Sequence, residues 1–189
     1  MKIIKNNVNY IYEIKKSKFI CFLFYVEDEI NVNNILDDLR LKYSDANHIC
    51  YAYIFSNKQK YDDDKEPSGT AGIPILEVLK KNDLTNILAV VVRYFGGIKL
   101  GAGGLIRAYM NSVKSAIDLC DITSYKEFIY VNIYFSYSDE GYVKSILKDE
   151  EIISKEYLDE VKYFVRIDKS NYSIIKERLS NIKIEEIWF

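Results

Sequence analysis

The chain has 189 residues, of which 49% are apolar and 29% charged, and its formal net charge is −2 at pH 7. This composition is typical of a folded globular protein and excludes disordered and collagen-like chains. The length allows one large or two small domains with hydrophobic cores. The longest apolar run, Phe19–Val26, has 8 residues, whereas a membrane-spanning helix needs about 20. We therefore expect no membrane association and, since no secretory signal is visible, a cytoplasmic location.

Periodicity predicts an α+β first domain over residues 1–124. Aliphatic and aromatic runs indicate strands, and apolar residues at helical spacing indicate helices, with Asp28 as the N-cap of the first. The run from Ile87 is apolar on both faces and is typical of a central strand. The elements expected in chain order are strands 9–15 and 18–26, helix 28–43, strand 48–55, an acidic loop, helix 75–81, strand 87–95, a glycine-rich turn 96–104 and helix 103–120.

The rest of the chain, 125–189, is predicted to form a second domain of the ferredoxin-like type. Its elements follow the order β-α-β-β-α-β, which is a self-contained unit. The net charge also changes sign at this point of the chain. Residues 1–126 carry 17 cationic and 15 anionic side chains, whereas residues 127–189 carry 9 cationic and 13 anionic side chains. The expected elements are strand 128–137, helix 139–148, strands 152–158 and 161–167, helix 172–179 and strand 182–189.

A glycine-rich segment between the central strand and the following helix is the strongest candidate for a functional site. No Asp or Glu occurs from Leu84 to Ile117, and seven of the eight glycines lie between Gly69 and Gly104. Free amides at a helix N-terminus, together with cations, form an anion site. We therefore predict that phosphate groups are bound here by Arg93, Gly97, Lys99, Gly101, Gly103, Gly104 and Arg107. The alternative is structural, with Arg93 and Arg107 pairing with the acidic cluster Asp62–Glu66.

Known nucleotide and metal motifs are not matched. The segment lacks the Gly-Lys-Ser/Thr of a phosphate-binding loop, and Ile106 stands where a dinucleotide fingerprint needs glycine. The acidic cluster resembles the start of a calcium loop, but Pro67 and Ile73 stand where Gly and Glu are required, which leaves a solvated loop or a weak Mg²⁺ site. Three cysteines without CxxC spacing argue against a disulfide framework or a cysteine zinc site. No cofactor and no metal are therefore expected.

A second group of polar residues, His48, Glu66, Ser68 and Thr70, is a candidate pocket. His48 shares a strand face with Cys50, which suggests either a Cys–His pair or a hydrogen-bonded histidine in a wall. Ser68 and Thr70 are interpreted first as turn and helix-cap residues. If this group faces the glycine-rich turn, an enzyme acting on a small phosphorylated ligand is conceivable, although no nucleophile–base pair is visible.

These segments resemble the IMPACT family, specifically its two-domain bacterial branch of the YigZ type. The most specific parts are EPSGTAGIPILEVL (Glu66–Leu79) and LTNILAVVVRYFGGIKLGAGGLIRAY (Leu84–Tyr109), with support from Lys16–Ile20 and Ala46–Tyr53. Two positions depart from the family pattern: Lys65 replaces the usual Gly, and Ala102 stands where Thr is common.

The resemblance implies a fold and a range of functions. The first domain is expected to share the fold of a ribosomal small-subunit protein's second domain and of domain four of the translocating elongation factor, and the second domain to resemble that factor's domain five. Eukaryotic members act in translational control by binding the activator of a starvation kinase, and bacterial members are proposed to bind nucleic acid or the ribosome. Fold kinship alone cannot assign an activity.

The first hypothesis is a non-enzymatic, translation-associated protein that binds RNA or the ribosome through the glycine-rich turn. Neutralising three phosphates would give log K against log salt a slope of roughly −2 to −3. The alternative is an interaction module that docks an acidic protein partner with the same cations.

Overall fold

The computed structural model describes residues 1–55 and 58–187, and these form a mixed α+β architecture in two compact units, Met1–Tyr125 and Lys126–Phe189. The predicted α+β class is confirmed. The strands are β1 (Lys2–Ile4), β2 (Val8–Ile14), β3 (Ser17–Tyr25), β4 (His48–Phe55), β5 (Lys58–Asp62), β6 (Ile87–Tyr94), β7 (Ile122–Ser124), β8 (Phe128–Phe135), β9 (Glu151–Tyr157), β10 (Val161–Asp168) and β11 (Lys183–Ile187). The α-helices are α1 (Glu29–Lys42), α2 (Gly72–Lys81), α3 (Ala102–Ile117), α4 (Glu140–Ile146) and α5 (Lys169–Arg178).

The first unit is built on a five-stranded antiparallel sheet in the order β2-β3-β6-β4-β5. Strand β6 lies at its centre, and its residues from Ile87 to Val92 are buried on both faces, as its uniformly apolar sequence predicts. Helices α2 and α3 pack on one face of the sheet and α1 packs on the other. The short strands β1 and β7 pair separately. The end of β6 therefore leads directly from the buried core to the glycine-rich turn.

Apolar periodicity predicts the helices of the first unit well. Asp28 caps α1 by accepting a hydrogen bond from Asn31 N at 2.7 Å, and Val32, Leu36 and Leu39 face the core. On α3 the spacing predicts a buried stripe of Leu105, Tyr109, Val113, Ala116 and Cys120. The first four are buried, whereas Cys120 is only partly buried because the helix ends at Ile117. Both helices thus bury the faces that their spacing indicates.

Four elements of the first unit differ from the sequence-based prediction. Residues 58–62 form an edge strand rather than part of a loop, and β1 and β7 were not predicted. Every residue of β5 is exposed, so its sequence KQKYD lacks the alternation that marks a half-buried strand. Helix α2 begins at Gly72 rather than Ile75, because a carboxylate from another segment caps it.

The second unit contains a four-stranded antiparallel sheet in the order β11-β8-β10-β9. Apolar residues of β8 and β10 pack with α4 and α5 in one core. The predicted β-α-β-β-α-β order is observed, with a 3-10 turn at Tyr137–Asp139 before α4. The last two residues of the predicted strand 182–189 lie outside the described residues.

Candidate functional site

The glycine-rich turn connects β6 to α3 with two residues in the left-handed region. Gly97 has φ +82° and Gly101, the N-cap of α3, has φ +71°. Residues with a Cβ rarely adopt this conformation, so both glycines are required by the backbone. A third glycine, Gly96, is required by packing, because a Cβ there would lie 2.0 Å from the backbone of Lys16.

The first turn of α3 is an uncapped helix N-terminus next to two free cations. Its N-cap, Gly101, offers no side-chain cap, and no side-chain hydrogen bond to the first amides of α3 is present among the described residues. Lys99 is exposed and precedes the helix. The Arg107 side chain lies near Gly103, with Nη1 at 3.7 Å from the position that a Cβ on this glycine would take. Within the described part of the chain, neither cation has an ion pair or hydrogen bond. Amide donors, a helix dipole and two unpaired cations thus converge where an anion would be stabilised.

Arg93 does not belong to this exposed group. The residue is only 6% exposed, and Nη1 donates a hydrogen bond to Glu66 Oε1. The guanidinium lies 5.4 Å from the ring centroid of Phe19 and 5.7 Å from that of Phe95. For Arg93 the structural alternative is correct, because Arg93 pairs with Glu66 of the acidic cluster. Arg107 forms no such pair within the described residues. An external phosphate would have to compete with a buried carboxylate for Arg93.

Glu66 is the centre of a buried hydrogen-bond network. Its Oε1 also accepts a hydrogen bond from the Tyr109 hydroxyl at 2.8 Å, and that hydroxyl lies 3.3 Å from Cys50 Sγ. Burial raises the pKa of Tyr109 well above its ordinary value, so the phenol stays protonated as a donor. Burial also raises the pKa of the Cys50 thiol, and a protonated thiol is a poor nucleophile.

His48, the first residue of β4, contacts the acidic turn, which is formed by residues 62–66. Its Nδ1 lies 2.8 Å from Asp64 O, and its Nε2 lies 3.9 Å from Glu66 Oε2. Asp64 itself accepts a hydrogen bond from Ile49 N at 2.6 Å. The histidine thus holds the acidic turn against β4, and its ring is directed to Asp64 and Glu66 rather than to Cys50.

Asp63 performs the capping role that was predicted for Ser68 and Thr70. Its carboxylate accepts hydrogen bonds from Gly69 N, Ala71 N and Gly72 N at 2.8, 3.0 and 2.8 Å. Thr70 instead donates from its hydroxyl to Pro67 O at 2.6 Å, and Ser68 is exposed. The prediction of a helix cap at Ser68 or Thr70 was therefore wrong, because Asp63 satisfies the first amides of α2 from a distant segment.

An open groove of about 290 Å³ lies between the acidic turn and the glycine-rich turn. Its lining is mostly apolar, and it includes Glu66 and Arg93, which are already paired with each other. The structure therefore brings Glu66 to the glycine-rich turn but leaves His48, Ser68 and Thr70 outside the lining. The lining residues are Glu66, Pro67, Arg93, Phe95, Lys99, Leu100, Gly101, Ala102 and Leu105.

Two further lysines next to the turn escaped the sequence-based prediction. Lys15 and Lys16 form the β2–β3 hairpin turn with φ +46° and +63°, and the Lys16 backbone packs against Gly96. Gly96 N also donates a hydrogen bond to Ser17 Oγ at 3.1 Å. The segment Lys16–Ile20 is one of those that resemble the family, and this resemblance was the one signal in the sequence that pointed to the hairpin.

The described residues offer no cluster of three or more His, Cys, Asp or Glu side chains that could hold a metal ion. The acidic side chains Asp62, Asp63 and Asp64 are instead engaged with backbone amides. Among the helices in residues 1–55 and 58–187, none is long and apolar enough to cross a membrane.

The fold and the site define a two-unit α+β protein with a cationic, glycine-rich turn in its first unit. Comparison with known proteins identifies the family. The Impact N-terminal domain model matches residues 15–117. The chain is 37% identical over 174 residues to IMPACT family member YvyE of Bacillus subtilis, covering 89% of this chain and 80% of that protein. It is 40% identical over 115 residues to IMPACT family member YigZ of Escherichia coli, covering 58% and 56% of the two chains. The chain belongs to the IMPACT family, which confirms the resemblance.

A solved structure supports the architecture over the full length. A crystal structure described as that of a hypothetical protein is similar with a TM-score of 0.69 and 29% sequence identity. The match covers 99% of this chain and 97% of that one. Both units of the fold are therefore found together in another protein.

Proposed function

We propose that this protein is a non-enzymatic, translation-associated protein that binds RNA or the ribosome through the glycine-rich turn. In this proposal Lys99, Arg107 and the first amides of α3 contact phosphates, with Lys15 and Lys16 on the adjoining hairpin. The link to translation comes from the resemblance to the IMPACT family. The non-enzymatic assignment agrees with the raised pKa of Cys50 and the closed network of Glu66, Tyr109 and Arg93.

One observation carries the proposal: Lys99 and Arg107 remain unpaired within the described chain. By contrast, Arg93, which lines the same groove as Lys99, is paired with Glu66. Exposed cations next to unpaired amides attract phosphate oxygens, and this attraction weakens as salt concentration rises. Arg93 is left out of the phosphate contacts because its Nη1 is already bonded to Glu66.

The test compares charge reversal at the turn with charge reversal elsewhere. Fluorescence anisotropy would measure the binding of labelled ribosomal RNA fragments to wild type and to the double variant Lys99→Glu/Arg107→Glu. The matched control is Lys60→Glu/Lys114→Glu, which changes the net charge equally at two exposed lysines of β5 and α3. We expect the turn variant to lose RNA binding and the control to keep it.

Equal loss in both variants would contradict a site at the turn. Affinity purification with and without ribonuclease separates RNA from a protein partner. Recovery that depends on intact RNA supports the proposal. Recovery that survives ribonuclease but is lost in the turn variant would overturn the RNA assignment in favour of an acidic protein partner.

A further inference from the structure

The groove beside the glycine-rich turn combines an apolar part with a cation. It is lined mainly by Pro67, Phe95, Leu100 and Leu105, and the exposed Lys99 lines it as well. Phe95 is 45% exposed although it is a large aromatic residue. An occupant that suits both parts has a flat apolar portion attached to an anion.

The groove is also continuous with the N-terminus of α3. Gly101 and Ala102 line it and are the N-cap and first residue of that helix. A ligand lying in the groove would therefore bring an attached anion to the free amides of α3 and to Lys99. The apolar contacts and the anion contacts would be made by the same ligand.

A buried donor without a partner belongs to one of the residues that line this groove. Arg93 is only 6% exposed and lines the groove, and its Nε has no hydrogen-bond partner in the described part of the chain. A buried, unsatisfied N–H group costs free energy. The exocyclic carbonyls and ring nitrogens of nucleobases are acceptors of the kind that pairs with such a group.

We propose that this groove receives one unstacked base of single-stranded RNA, packed against Phe95, while the phosphate of the same nucleotide contacts Lys99 and the amides of α3. This inference rests on the proposed function and deepens it. Aromatic side chains bind splayed bases by stacking, whereas a base inside a duplex is already stacked on its neighbours. The groove therefore selects single-stranded regions over duplexes, although the surrounding cations attract both.

The test uses anisotropy with a labelled eight-nucleotide oligouridine and with a duplex of equal length. We expect Phe95→Ala to weaken binding of the single strand by about 5- to 100-fold, in line with the effect of removing a stacking residue, and to leave duplex binding unchanged. Ile98→Ala is the matched control, because Ile98 is 43% exposed on the same turn but does not line the groove. It is expected to bind both RNAs like wild type.

A second variant keeps the test valid if Phe95→Ala disturbs the packing on Arg93. Ala102→Leu fills the groove from the exposed start of α3 without removing an existing contact, and it should also weaken binding of the single strand selectively. Its melting temperature reports whether the fold is retained.

The outcomes separate this inference from the proposed function. Normal binding of the single strand by Phe95→Ala and Ala102→Leu, combined with its loss in Lys99→Glu/Arg107→Glu, would overturn the groove inference alone. A wild-type preference for the duplex would overturn it as well. Absence of binding to either RNA by wild type would overturn both.

Discussion

The ion pair between Glu66 and Arg93 makes each residue depend on the other for stability. Both side chains are buried, with 2% and 7% of their surface exposed. Glu66→Ala would leave the guanidinium uncompensated, and we expect it to lower the free energy of unfolding by about 3–5 kcal/mol. Urea denaturation measures this change.

The double variant Glu66→Leu/Arg93→Met is the control for this prediction. It removes both charges together, so its free energy of unfolding should lie much closer to wild type than that of Glu66→Ala. A loss below about 1 kcal/mol in the single variant would contradict a structural role for the pair, since a truncated buried pair costs several times more.

Lys65 adopts a strained backbone conformation in the acidic turn, at the position where the family resemblance leads us to expect glycine. Its φ is +66°, in the left-handed region that disfavours a side chain. Because that conformation costs a residue with a Cβ about 1–2 kcal/mol, we expect Lys65→Gly to raise the free energy of unfolding by about 0.5–1 kcal/mol after the entropy cost of glycine is included.

Lys60→Gly provides the matched comparison for Lys65→Gly. Lys60 is an equally exposed lysine in β5 without positive φ, so glycine there should destabilise the protein. Equal destabilisation at both positions in a thermal melt would show that the turn carries no strain at Lys65.

At the scale of elements, the glycines of the turn have different roles. A Cβ at Gly96 would meet the Lys16 backbone at 2.0 Å, whereas one at Gly103 would have only the end of the Arg107 side chain nearby, at 3.7 Å. We expect Gly96→Ala to destabilise the protein by about 3 kcal/mol or more, as for severe overpacking. Gly103→Ala, inside α3, should stabilise it by about 0.5–1 kcal/mol.

The same two variants report on function. Gly103→Ala should weaken RNA binding despite its greater stability, because the methyl group occupies space between the helix amides and Arg107. A melting temperature and an RNA affinity for each variant check both statements. Greater stability with unchanged affinity would place the phosphate elsewhere.

Helix α4 is tied to the sheet of the second unit through Glu140. Its Oε1 accepts hydrogen bonds from Tyr163 OH at 2.6 Å and Tyr157 OH at 2.8 Å and pairs with Lys144 Nζ at 2.7 Å. These donors, Lys144 first, lower the pKa of Glu140 to about 2. Because the folded pKa lies below the unfolded value of about 4.3, this stabilisation is present above that pH and is lost as pH falls towards 2.

We therefore expect Glu140→Gln to remove a pH-dependent part of stability. Amide exchange in β10 should differ between wild type and variant near neutral pH, and the difference should shrink as the pH falls from about 5 to about 2. Glu177→Gln, at an exposed position of α5, should show no such difference. A constant difference across this range would contradict the coupling.

Elements with strong local signals could be predicted from the sequence. Helix α1 has an Asp cap and a regular apolar stripe, and β6 is apolar throughout. Strand β5 could not be predicted because it is defined by its hydrogen-bonded pairing with β4 and not by an apolar pattern of its own. Helix α2 began earlier than expected because its capping carboxylate, Asp63, lies outside the helix and its immediate flank.

At the scale of the whole molecule, the candidate site was only partly visible in the sequence. Lys99, Arg107 and the glycines were predicted because they are close together along the chain. The Glu66–Arg93 pair spans 27 residues and Tyr109 joins it from a further element, so the burial of Arg93 is a tertiary effect. The contact of the Lys16 backbone with Gly96 is also tertiary, which is why the hairpin lysines were missed.

The charge of the whole chain bears on the proposed RNA binding. Because the chain carries a net charge of −2, we expect weak non-specific binding, and the proposal requires the turn to supply the phosphate contacts. The salt dependence of RNA binding gives the number of phosphate contacts, because each contact with single-stranded RNA contributes about −0.7 to the slope of log K against log salt.

The most direct measurement is this slope for wild type and for Lys99→Gln/Arg107→Gln on the same single-stranded oligonucleotide. Loss of two phosphate contacts should make the slope less steep by about 1.4, and the control Lys60→Gln/Lys114→Gln should leave it unchanged. A turn variant that keeps the wild-type slope would contradict the account that Lys99 and Arg107 bind phosphate.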